Sequence, residues 1–331
     1  GVMCRDNRQL PAGRKSMTPG NGKQPHQLTN QTMRLKTIQD MRKRFLTLAA
    51  LTATALFAFA QDYTQYVDPF IGTGGHGHVF LGANVPFGNI QAGPTQKKQG
   101  WDWCSGYHYS DSTVIGFGQM HLSGTGIGDL GDISLLPVTD PAQREVKFAH
   151  RAEHVSPGYY SVMLASGVRL ELTATRRVAF HRYSFPADAA KGYVVLNLAQ
   201  GIGWDRMTSC SFKQESDKTI SGFRMSTGWA KDQRVYFVAE FSQPVRLLEN
   251  ERDTIGVYAL DDTARPLLVK VGISAVSVEN ARQNLQQELP GWDFRNAVVQ
   301  AKAEWNRELG KIAVKTKDEH AKRIFYTALY H

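Results

Sequence analysis

Cysteine is scarce in this chain, at three residues in 331. Cys4 precedes the export signal expected at 41–60, so the remainder holds Cys104 and Cys210, with no CxxC pair and no zinc-ribbon spacing. This excludes a disulfide scaffold and a cysteine-ligated structural zinc, and the two distant thiols read as small buried residues rather than as a bridge. A membrane-spanning run is also lacking. The apolar stretch at residues 45–59 is short and alanine-rich, which predicts no membrane anchor. Basic charge is missing where a polyanion would need it. The formal net charge is +9, but residues 1–60 hold ten Lys or Arg against Asp6 and Asp40, leaving +1 for the rest. No nucleic-acid partner follows from that balance.

What is present is organised in blocks. "MRKRFLTLAALTATALFAFAQ", from Met41, has a cationic start, an apolar centre and the small-x-small close Ala58-Phe59-Ala60. It reads as a secretory signal over 41–60, cleaved before Gln61, for a periplasmic or secreted product. Residues 1–40, polar and rich in Gly, Gln and Lys, make little sense ahead of such a signal and are expected to be disordered or mis-called. From Tyr66 to about Val276 the chain is strand and turn. "YYSVMLAS", "VRLELTAT", "VAFHRYSF", "GYVVLNLA", "RVYFVAEF" and "RPLLVKVGIS" are short, β-branched and aromatic runs bounded by Gly, Pro, Asp or Ser. Many such strands without helical periodicity mean an antiparallel sandwich or barrel, placed over 61–276. Over 277–311 apolar residues recur three and four apart, and Pro290-Gly291 divides them into two helices; Val298, Ala301, Trp305 and Leu309 share one face. A strand-like "IAVKT" follows, then an amphipathic segment with Ile324, Ala328 and His331 on one side. It stops without a cap, so the chain is expected to continue beyond residue 331.

"FIGTGGHGHVF", residues 70–80, invites two readings. The letters Gly72-Thr73-Gly74-Gly75-His76-Gly77 match a dinucleotide-binding turn, but that turn needs a helix behind it and an acidic residue some twenty positions on. Pro86 and further glycines follow instead, and Lys97 and Lys98 stand where the acid should. The second match, Gly126 to Gly131, runs into the strand-like "ISLLPV". His76 and His78 could share a metal, but no third ligand stands close by in sequence, so no metal residues are assigned. A third reading fits better. "GWDWCSGYHYSD" and "QMHLSGTGIGDLGD" gather Trp101, Trp103, Tyr107 and His108 with Asp, Ser, Thr and glycine, the combination that stacks on sugar rings and bonds their hydroxyls. Either tryptophan alone is as readily core as platform.

These blocks, with "YVDPFIGTGGHGHVFLGANVPFGNIQAGP", "SPGYYSVML", "STGWAKDQRVYF" and "IFYTALYH", resemble the N-terminal half of glycoside hydrolase family 92, calcium-dependent exo-acting α-mannosidases. The resemblance runs from Tyr66 to His331. It implies a mainly β chain: an antiparallel β-sandwich, linker helices over 277–311, and the start of an (α/α)6 barrel over 312–331. It implies a monomeric α-mannosidase, of the α-1,2 type, that removes terminal mannose from glycans with inversion. Catalytic acid, base and most calcium ligands would lie beyond residue 331, so this part alone is expected to be inactive, and Asp102, Asp111, Asp129 and Asp132 receive no catalytic role; local turn bonding is expected of the last two. Recognition would fall to Thr73, Gly74, Gly75 and His78, to Trp101, Asp102, Ser105 and Tyr107, and to His121, Ser123 and Thr125, with Trp101 as the aromatic platform. The alternative is a non-catalytic carbohydrate-binding sandwich.

Overall fold

The computed structural model describes residues 39–43 and 61–331. The expected export signal at 41–60 and the segment 1–40 lie outside the described residues, apart from an exposed helical turn at 39–43. No described helix is long and apolar enough to cross a membrane.

Residues 62–331 form one unit of fifteen strands and three long helices. The strands pair antiparallel throughout. One face runs Arg206–Ser216, Thr219–Thr227, Gln233–Phe241, Leu267–Ser274, Val178–Ser184, Arg169–Ala174, Tyr159–Leu164 and Val146–Ser156. The other runs Arg246–Glu251, Ile255–Leu260, Gly192–Asn197, Ser134–Val138, Thr113–Gly118, Gln91–Gln96 and Ala83–Asn84. Pairing of Thr113 and Val114 with Lys147 and Val146 joins them, so the sandwich is closed along one side.

All six apolar runs read as strands are strands. The alternation explains their seating. In Gln233–Phe241, Val235, Phe237, Ala239 and Phe241 point inward while Tyr236 and Glu240 point out. Leu267–Ser274 is buried on both sides because helix α1 (Val278–Glu288) covers its outer face through Ala281 and Leu285. Gly272 permits this, since a Cβ there would stand 2.6 Å from the Ala281 carbonyl oxygen. Each large apolar side chain sealed in this core contributes about 1.5–3 kcal/mol.

Helices α2 (Phe294–Leu309) and α3 (Glu319–Tyr330) are capped at their N-termini by Asp293 and Asp318. α2 buries Ala301, Trp305 and Leu309, as its spacing predicts, with Val298 half-buried. α3 departs from expectation: Ile324 and Ala328 are exposed, and Tyr326, Thr327 and Tyr330 face inward. The tyrosines take the contact because aromatic partners wait for them, Tyr66 stacked on Tyr326 at 5.4 Å and Trp305 against Tyr330 at 4.5 Å. "IAVKT" is not a strand. Its backbone is used by one side chain, the Tyr326 hydroxyl, which donates to the Ile312 carbonyl and accepts from the Val314 amide.

The two thiols are free, Cys104 buried and Cys210 half-buried. Between the sheets Arg224, with no exposed surface, donates to Asp132 at 2.6 Å, to Asp205, and to the Leu198 carbonyl at 2.8 Å. Removing the guanidinium strands two buried carboxylates. Arg224→Met is expected to lower unfolding free energy by about 3–5 kcal/mol, read as a fall in the urea midpoint at neutral pH. An unchanged midpoint would show that water reaches this network.

Candidate functional site

Three loops meet at one end of the sandwich. The first, residues 72–78, is forced into shape by its glycines: a Cβ at Gly77 would lie 1.9 Å from the Gly72 carbonyl oxygen. His78 then sits at φ +58°, unusual for a residue with a side chain. The loop is tied to the second, residues 100–111, by Tyr109 N donating to Thr73 O at 2.8 Å and His108 Nε2 to Gly75 O at 3.2 Å. The third, residues 120–131, joins through Gly124 N donating to His78 O at 2.7 Å and Phe80 N to Ser123 Oγ at 3.0 Å.

The exposed result is a small polar-aromatic surface. Trp101 is 60% exposed and packs at 5.2 Å from the His76 ring and 4.3 Å from the His78 ring. Asp102 Oδ1 stands 2.6 Å from His76 Nδ1 and 3.4 Å from His78 Nε2. The His76 hydrogen bond holds the Asp102 carboxyl below its ordinary range. Gly74, Gly75 and Thr125 are exposed around it and Ser123 is half-buried.

The other named candidates turn inward. Thr73 Oγ1 donates to Phe70 O, Ser105 Oγ to Val79 O, and the Tyr107 hydroxyl to Glu153 Oε2 at 2.9 Å. Burial beside Glu153 raises the Tyr107 pKa, so it stays protonated. His121 is buried under Phe80; its Nδ1 donates to the Gln91 carbonyl at 2.7 Å and its Nε2 accepts from Thr95 Oγ1 at 2.9 Å. With both nitrogens used it can position the loop but cannot reach a ligand directly. Of the two tryptophans, Trp103 goes to the interior and carries Lys98 over its ring at 4.0 Å.

Asp129 and Asp132 are structural, though not through local turns. Asp129 accepts from Trp229 N and Ala230 N, a hundred residues away, and Asp132 pairs with Arg224 and Gln233. A carboxylate sealed between two sheets takes the donors that tertiary packing brings, not those its own turn offers.

Two features escaped the sequence reading. Ser123 and Thr125 also border a cavity of about 700 Å³ between the loops and the helices, walled by Phe80, Met120, Leu122, Trp305 and Tyr330. Trp204, 54% exposed, faces Trp101 across a cleft of about 240 Å³. Its signal was legible as a repeat: Gly100-Trp101-Asp102 recurs as Gly203-Trp204-Asp205 and Gly291-Trp292-Asp293. The three aspartates part company, one on the surface, one on Arg224, one capping α2.

Family comparison decides the lineage. The glycosyl hydrolase family 92 N-terminal domain matches residues 66–274, and the family's catalytic domain matches 280–331. The chain belongs to glycoside hydrolase family 92. It is similar to a family 92 α-mannosidase from Bacteroides thetaiotaomicron solved with mannoimidazole, at 32% identity and TM-score 0.74, over 82% of this chain and 40% of that one. An inverting mannosidase of the family from the same organism is 26% identical at TM-score 0.69, over 81% and 39%. A protein described as an uncharacterized secreted glycosidase from Arthroderma benhamiae is 27% identical over 86% of this chain and 43% of its own length. The family 92 chain thus spans about two fifths of these relatives.

Burial pushes the His121 pKa from 6.5 down to about 4 and that of His181, another buried imidazole, to about 3. The unfolded chain therefore binds protons that the folded one refuses. Stability carried by these groups is full above pH 6.5 and is lost as pH falls toward 4, at up to about 1.4 kcal/mol per pH unit for each. His121→Gln is expected to flatten the pH dependence of urea unfolding in that window, whatever it does to stability at pH 7; an identical slope would mean His121 protonates freely in the fold.

Proposed function

We propose that the intact protein is an exported, monomeric, exo-acting α-mannosidase of the α-1,2 type that releases terminal mannose with inversion, and that the loops described above are its recognition surface. Family membership supplies the reaction class, and the mannosidase relatives supply the sugar. The Arthroderma benhamiae relative's description as secreted agrees with an export signal at 41–60. The observation that carries the role of this chain is Trp101, an indole left 60% exposed beside a His76–Asp102 pair while its neighbour Trp103 is buried.

Inversion needs one carboxylic acid to protonate the leaving oxygen and a second carboxylate to activate water from the opposite face. Asp129, Asp132 and Asp205 are committed to internal partners, so the pair is assigned to the remainder of the catalytic domain. This chain contributes binding: an aromatic face for the sugar's C–H surface, and Asp102, His76, Thr125 and exposed backbone of Gly74 and Gly75 for its hydroxyls.

Calcium, the family's cofactor, takes six to eight oxygen ligands. Among the described residues the side chains that come together as a possible metal set are two imidazoles and one carboxylate, a poor match for it. Most calcium ligands are accordingly assigned to the catalytic domain beyond residue 331, and no step is routed through the ion here.

The test is release of mannose from α-1,2-mannobiose by the intact protein, with the anomer followed by NMR. Trp101→Ala is expected to raise KM about five- to thirtyfold, corresponding to about 1–2 kcal/mol of stacking and burial, with the thermal midpoint unchanged. No mannose release would overturn the enzyme assignment, and an unaltered KM would remove Trp101 from the site.

A further inference from the structure

We propose that His76, His78 and Asp102 form a binding site for a divalent transition metal of zinc's type, separate from the calcium of the family. The two histidines alone lacked a third ligand in sequence; the fold delivers Asp102, twenty-four residues beyond His78. One ligating atom from each of the three lies within 4.8 Å of the others.

The geometry is close to what such an ion needs. With metal–ligand bonds of about 2.0–2.2 Å in a tetrahedral site, ligand atoms stand roughly 3.3–3.6 Å apart. His78 Nε2 and Asp102 Oδ1 already do, at 3.4 Å. His76 Nδ1, at 2.6 Å from the same oxygen, must retreat by somewhat under an ångström, and its side chain, 73% exposed, is free to do so. The inner ligand is the fixed one. The His78 side chain is 7% exposed, its backbone is held at φ +58°, its carbonyl is bonded by Gly124, and its ring is wedged against Trp101. A buried, held imidazole with an exposed one opposite allows an ion to enter from solvent and then be clamped.

The chemistry selects the ion. Both imidazoles direct a nitrogen at the same carboxylate oxygen. Without metal each nitrogen must carry a proton to make that contact; a cation in their place accepts two nitrogen lone pairs and one oxygen, displacing the protons. Two nitrogens and one oxygen suit zinc, cobalt or nickel, and disfavour calcium and magnesium. Gly74, Gly75 and Gly77 leave the outer side open for a water as fourth ligand. A bound ion would fix Asp102 and brace Trp101, whose ring contacts both histidines.

The test measures binding, not turnover, so its outcome is independent of the mannosidase assignment. The intact protein, stripped with chelator and desalted, is titrated with Zn2+ by calorimetry and with Co2+ by visible absorption. Against the unmodified protein, His76→Ala/His78→Ala is expected to bind one equivalent of Zn2+ fewer. Asp102→Asn is expected to weaken that equivalent roughly tenfold or more. The Co2+ band of a nitrogen- and oxygen-ligated site should vanish with the double variant and persist in excess Ca2+. His76→Ala alone, at an exposed position, covers the case in which loss of His78 disturbs the fold, and it too should weaken the site. Equal Zn2+ stoichiometry and affinity in His76→Ala and Asp102→Asn, or displacement of the ion by Ca2+, would overturn the proposal.

Discussion

Arg224 is the largest side chain in the structure with no exposed surface, and the site end of the sandwich depends on how it is satisfied. Its guanidinium reaches Asp132 on the loop entering Ser134–Val138, Asp205 ahead of Arg206–Ser216, and the Leu198 carbonyl after Gly192–Asn197. One planar cation therefore joins the two faces of the sandwich where apolar packing would leave three loop ends unanchored. The network extends by backbone: Gln119 N donates to Asp132 O, and Gln119 Nε2 donates to Phe117 and Ile133 carbonyls, which leaves its Oε1 to accept from His181 Nε2 at 2.8 Å. Tyr183 donates to the other nitrogen, His181 Nδ1, so that imidazole is held neutral. His121, two residues beyond Gln119, ends the chain of polar contacts under the candidate site.

This polar spine accounts for the kind of loop that the site is made of. Loops on a sandwich are ordinarily mobile, but here residues 72–78, 100–111 and 120–131 bond one another as well as the sheet. The buried candidates Thr73, Ser105, Tyr107 and His121 serve that purpose, using their polar atoms on backbone and on Glu153 so that the loops carrying Trp101 and Asp102 are held in place. Preorganised display is worth more to recognition than extra contacts, because ordering a loop at the moment of binding costs free energy.

How much of this was legible follows from the range of each signal. Strands and helices rest on local periodicity, and six runs were placed from it; the buried face of α2 followed from spacing alone. The face of α3 did not, because Tyr66 and Trp305, which attract Tyr326 and Tyr330, are far away in sequence. Local sequence makes Asp129 and Asp132 look like turn residues for the same reason: their partners Trp229, Ala230 and Arg224 lie ninety or more residues on. Composition is what proposes these loops as a sugar surface. Which side chain of each loop points outward is set by tertiary packing, so five of the eleven named candidates, Thr73, His78, Ser105, Tyr107 and His121, are buried.

The glycine loop shows that limit most clearly. Its letters suit a nucleotide turn, yet what they encode is steric. A Cβ at position 77 would collide with the Gly72 carbonyl, and positive φ at Gly72 and Gly75 turns the chain back on itself. That reversal forces His78 into a left-handed conformation costing of order 1 kcal/mol, a strain that persists only because Gly124, Trp101 and the rest of the loop over-determine it. Relaxing it would swing the His78 ring away from Asp102 and out from under Trp101. The conformation that local preference disfavours is thus the one that brings His76, His78 and Asp102 to a point, and the glycines are what make that point reachable by the backbone.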